Sequence, residues 1–170
     1  MKAGTRRRKG RFEKMANHPQ TLSRAKGPGR LYGLTFGLLA LTGFAQMPIF
    51  KRYYIADIPG LGWLAQFYLT HLMHYVLAAL LLGIVAYAVA DFILDRRGSR
   101  RLTASGRLRA AILAGLLITG GLRVIKNFSG VYMSAGWIVF LDTLHLAMVM
   151  AYLLAALYAL IGKKRWTSAG

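Results

Sequence analysis

The sequence predicts an all-α integral membrane protein, a bundle of four transmembrane helices with both termini cytoplasmic. Three observations predict it. Long apolar stretches recur along a chain of 170 residues that is 56% hydrophobic, with a mean hydropathy of +0.42. Lys and Arg number 23 against five acids, giving a net charge of +18, and they cluster between those stretches. Cysteine is absent, which removes disulfides, thiolate zinc sites, cysteine-ligated iron–sulfur clusters and covalently attached c-type haem.

The first 29 residues, rich in Lys, Arg and Gly, read as a basic cytoplasmic tail. They have a charged start but no apolar core after it, so they do not resemble a cleaved signal peptide. Crossing a hydrocarbon layer of roughly 30 Å takes about 20 helical residues, and the first such span is read at 31–50, between Arg30 and the pair Lys51 and Arg52. The second is read at 64–90, long enough at roughly 40 Å that it must tilt or project. The third starts after Arg109. Its uninterrupted apolar run ends at Leu122, so a complete crossing takes in Arg123 and extends towards Lys126. The fourth, 138–161, is stopped by "GKKRW", glycine followed by cations. A short C-terminal tail, 166–170, closes the chain, and 30–165 forms the membrane domain.

Charge sets the expected orientation. All the basic residues except Lys51, Arg52, Arg123 and Lys126 fall in the N-terminal tail, the loop "DRRGSRRLTASGRLR" or the C-terminal "KKR". Such residues accumulate on the cytoplasmic side of a membrane. The excess of positive charge is therefore read as topology and contact with anionic lipid, with no nucleic acid as a partner. No internal repeat, Gly-rich phosphate loop or Ser-His-Asp arrangement is legible.

Three of the four histidines, His71, His74 and His145, fall inside predicted spans. Ionisable side chains are costly in a membrane core and usually have a partner there. Two neutral imidazoles on facing helices supply the two axial positions of a haem iron, so all three histidines are candidate metal ligands. A nonhaem metal fits less well, because Asp142 is the one carboxylate near this zone and no H-E-x-x-H pattern occurs. Distance from the tryptophans matches His71 with His145, whereas distance from the cytoplasmic ends matches His74 with His145. Arg123 and Lys126 are placed to pair with haem propionates or to snorkel to the interface. Asp142 is placed to orient a histidine, to pair with Arg123 or to cap the fourth helix.

"RLYGLTFGLLALTGFAQM", "HLMHYVLAALLLG", "LLITGGL" and "DTLHLAMVMAYLLAALYAL" are similar to segments of the four-helix cytochrome b subunits of formate dehydrogenase, nickel–iron hydrogenase and thiosulfate reductase. The resemblance covers about residues 30 to 165. Members of that family bind two b-type haems and exchange electrons with quinone, using one ligand in span one, one in span two and two in span four. This chain departs from the pattern where the inner haem would sit: Gly33 stands in place of the span-one histidine, and Leu157 to Ala159 occupy the level of the second span-four histidine. The resemblance thus implies one haem b, bis-histidine, on His74 (or His71) and His145, with His74 favoured. With His74 as ligand, His71 is left as a supporting group or propionate partner.

The implied function is an electron-transfer subunit of a respiratory oxidoreductase in the bacterial inner membrane, not catalytic alone. It would pass electrons between an extracytoplasmic partner, of multihaem cytochrome c, iron–sulfur or molybdopterin type, and menaquinone or ubiquinone. A haem-free membrane anchor for a catalytic redox subunit is the alternative.

Overall fold

The computed structural model describes residues 27–47, 57–95 and 100–169. Residues 1–26 of the expected N-terminal tail, Lys51, Arg52 and the expected end of the first span at Phe50 lie outside the described residues, and the last three tail residues already belong to the first helix. Helix α1 is Gly27–Ala45, α2 Phe67–Asp95, α3 Ala104–Ile125 and α4 Ala135–Ile161. A 3₁₀ turn, Gly62–Ala65, precedes α2, and two short strands, β1 (Arg100–Leu102) and β2 (Thr167–Ala169), lie beyond the other helix ends. The protein is all-α apart from this ribbon. Phe67–Leu94, Ala104–Ile125 and Ala135–Ile161 are long and apolar enough to cross a membrane, which gives the chain the character of a multi-pass membrane protein. Leu34, Leu82, Leu94, Leu154, Leu157 and Leu160, all more than half exposed, turn apolar surface outwards.

Local chemistry sets helix boundaries that hydropathy misplaces. The second helix starts at Phe67, not at residue 64. Leu61 N–H bonds Ile58 C=O across a turn whose third residue, Gly60, has φ +87°, and Leu64 is then buried in the 3₁₀ turn. The third starts at Ala104, well before Arg109, because the Thr103 side chain caps it by accepting from Gly106 N–H at 2.9 Å. In the fourth, Ser134 is the cap, so the helix begins at Ala135 and Asp142 has no capping role. The end of α4 is tied by bonds from Lys163 N–H to Leu160 C=O and from Lys164 N–H to Ala159 C=O, with Lys163 at φ +48° in the place glycine usually takes.

α1 packs closely on α2 and α3 on α4, making two antiparallel hairpins. One core joins them, with Leu39 from α1, Leu81 from α2, Leu113 and Leu116 from α3, and Tyr152 from α4. Phe36 lies 4.5 Å from Tyr152, ring centre to ring centre, and the hydroxyls of Tyr32 and Tyr152 hydrogen-bond across the hairpins. The expected C-terminal tail is instead docked. β2 pairs antiparallel with β1, Leu102 opposite Thr167, and the guanidinium of Arg109 sits 4.1 Å above the Trp166 ring.

Candidate functional site

At the end opposite the ribbon, two imidazoles are held in the same way. On α1, the Thr42 hydroxyl donates to the Leu38 carbonyl one turn back at 2.8 Å, so its oxygen is left to accept from Nδ1 of His74 at 3.0 Å. On α3, the Thr119 hydroxyl donates to the Gly115 carbonyl at 2.9 Å and accepts from Nδ1 of His145 at 2.9 Å. A hydroxyl has one proton, and each threonine uses it on its own helix. With the hydroxyl proton so used, a neutral ring carries its proton on Nδ1, and Nε2 is the nitrogen left with a free lone pair. This is the state of a histidine ready to bind a metal.

A glycine follows each threonine, and each fits closely against an imidazole. A Cβ on Gly43 would lie 3.3 Å from Cε1 of His74, and one on Gly120 would lie 3.4 Å from Cε1 of His145. Each hairpin thus builds one unit: Thr-Gly on its first helix, histidine on its second. The correspondence extends into the core, because Leu39 and Leu116 each lie three residues before the threonine, and Leu81 and Tyr152 each lie about two turns past the histidine. The sequence reading of no internal repeat is corrected here. The two hairpins repeat one design, concealed by connecting loops of unequal length and by a register visible only once the helices are paired.

The repeat also places His71. One turn past Thr42 stands Gln46, and one turn before His74 stands His71; their partners in the second hairpin are Arg123 and Asp142. Gln46 Nε2 donates to the Thr42 carbonyl at 3.1 Å, and its Oε1 accepts from His71 Nδ1 at 2.9 Å. The His71 ring lies between Phe67, at 5.4 Å, and Tyr75, at 4.4 Å. In the second hairpin the same positions form an ion pair. Arg123 Nε donates to Asp142 Oδ1 at 2.8 Å, and Lys126 Nζ joins the same oxygen at 3.0 Å. Two cations share one carboxylate, so the cluster keeps an excess positive charge. Asp142 is bonded to these cations and makes no hydrogen bond to His145.

Asn127 Nδ2 donates to the Tyr75 hydroxyl at 3.2 Å, linking the hairpins beside the histidines. Among the described residues no three His, Asp or Glu side chains converge, so the site offers two imidazoles and no third protein ligand. Thr42, Thr119 and Gly120 were missed in the sequence. The dipeptide Thr-Gly, present in both "LALTGFA" and "LLITGGL", was the available signal. Comparison with protein-family models, with curated proteins and with solved structures found no match for this chain.

Proposed function

We propose that this chain is a four-helix membrane bundle that binds one haem b between His74 and His145 and relays electrons in a respiratory oxidoreductase complex. The observation that carries the proposal is the repeated threonine-held imidazole, one on each hairpin, bonded through Nδ1. A mononuclear zinc or iron site needs three or four protein ligands, whereas haem brings four nitrogens of its own and asks the protein for two. The donor set fits that demand.

The roles of the residues follow from their bonds. Thr42 and Thr119 fix the tautomer and plane of His74 and His145 and raise their basicity. Gly43 and Gly120 keep the edges of the rings clear. Arg123 and Lys126, with charge to spare beyond Asp142, are the cations to meet propionates. His71, held by Gln46 instead of a threonine, supports the ligand helix from one turn away. When bound, haem supplies a reversible one-electron couple, tuned by axial ligation and burial.

In this reading the basic ribbon end and both termini face the cytoplasm of a bacterial inner membrane, which places the histidines near the outer face. Electrons then pass between an extracytoplasmic redox subunit, carrying multihaem cytochrome c, iron–sulfur or molybdopterin centres, and menaquinone or ubiquinone. The resemblance to the formate dehydrogenase, hydrogenase and thiosulfate reductase cytochromes agrees with this. A reduced-minus-oxidised spectrum of the purified protein tests it: a b-type band is expected, lost in His145→Ala and His74→Ala and kept in His71→Ala. Pigment-free, folded protein would leave only a membrane anchor.

A further inference from the structure

A second feature lies at the other end of the molecule, and nothing in the haem reading uses it. Arg109 is 6% exposed, yet no carboxylate pairs with it among the described residues, where the ion pairs are those of Asp142. Its Nε donates to the Ser105 carbonyl at 3.2 Å and its Nη2 reaches the Lys164 carbonyl at 3.4 Å, while its face covers Trp166. Two carbonyls and an indole satisfy geometry but not charge. Buried charges are normally paired, so a guanidinium placed like this marks the place of an anion.

A half-open cavity of about 350 Å³ meets it, lined by Ser105, Leu108, Arg109, Ala155, Tyr158 and Lys164. Three sources of positive potential converge there. Arg109 forms part of the wall and exposed Lys164 the rim. The N-terminal turn of α3 has no acidic residue, and the Ala104 and Ser105 amides have no hydrogen-bond partner among the described residues. Below this polar mouth the lining turns apolar. Leu108 and Tyr158 are both more than half exposed and continue into the outward apolar faces of α3 and α4, next to exposed Leu154.

We infer that this cavity binds the phosphate of an anionic phospholipid, whose acyl chains run down the groove between α3 and α4. A free phosphate would use the basic mouth alone; the apolar continuation of the walls is what selects a lipid. The neighbouring Lys163 and Arg165 strengthen the local attraction, and Trp166 closes the polar side at interfacial depth.

The test is native mass spectrometry of the full chain in neutral detergent, titrated with phosphatidylglycerol, phosphatidylcholine or inorganic phosphate. One phosphatidylglycerol is expected to be retained in preference to phosphatidylcholine. Lys164→Gln, which removes a rim charge without touching a helix contact, is expected to weaken it about fivefold. Arg107→Gln, an exposed cation outside the cavity, is expected to leave it unchanged, with the basic N-terminal tail present in both variants. Arg109→Gln should abolish retention, and Lys164→Gln keeps the inference open to refutation should that variant fold poorly. Equal retention of phosphatidylcholine, an equal loss in Arg107→Gln, undiminished binding in Lys164→Gln, or full displacement by millimolar phosphate would each overturn it.

Discussion

At the loop end of the molecule, the helices carry imidazoles, hydroxyls, an amide and glycines towards one another. At the ribbon end, the equivalent turns carry Leu39, Leu81, Leu113, Leu116 and Tyr152, packed into one cluster and joined by the Tyr32–Tyr152 hydrogen bond. The same two hairpins therefore do opposite things along their length. In one half they bind each other, and in the other they hold donor atoms that no protein group satisfies. Lipid tails are as apolar as leucine, so helices in a membrane associate through close packing and hydrogen bonds; the apolar packing between the hairpins lies in the ribbon half, while each half contributes one hydrogen bond between them, Tyr32–Tyr152 and Asn127–Tyr75.

The sharpest way to break this contrast is at the ligands. His145→Ala or His74→Ala should remove essentially all bound haem while leaving the far-UV helical signal unchanged; if haem survived either change, the loop half would not be built for it. Next in size are the glycines. Gly43→Val or Gly120→Val would force methyls into the imidazole edge, an overpacking cost of about 2–3 kcal/mol, or roughly a hundredfold in haem affinity. Gly121→Val is the control, since a Cβ there meets nothing within 4 Å. Loss of haem in that variant as well would point to general helix damage.

Removing the threonine acceptors should cost less. Thr42→Val or Thr119→Val keeps the shape but frees Nδ1, and haem affinity is expected to fall roughly 10- to 100-fold by titration. An unchanged affinity would show that the imidazoles orient themselves. Smallest is Tyr152→Phe in the ribbon half, which removes one interhelical hydrogen bond and should lower stability to denaturant by about 1 kcal/mol with the haem spectrum intact. A spectral change there would mean that the two halves are coupled.

The helices and their histidines were legible because apolar runs and buried polar residues are local, one-dimensional signals. Their ends were not, since Thr103 and Ser134 extend α3 and α4 backwards through single side-chain caps that hydropathy averages away. The ribbon escaped notice because "TSA" and "RRL" have no strand signature of their own; β2 exists by pairing with β1 and by the anchoring of Trp166 on Arg109. The Thr-Gly units were invisible for a related reason. Each threonine meets its histidine only after the chain reverses, over 32 residues in one hairpin and 26 in the other, and no fixed spacing repeats. Two depth measures disagreed over His71 and His74, and only the match of threonine partners sets His74 in register with His145.

The threonine hydroxyls have a further consequence for how such a protein matures. Each imidazole is tethered inside its own hairpin and owes nothing to its opposite number, so each hairpin orients its own ring as it folds. Most of the ordering entropy is met while the polypeptide folds. Under the haem reading proposed above, the group would meet imidazoles already oriented, and an empty form would keep its shape in the bilayer.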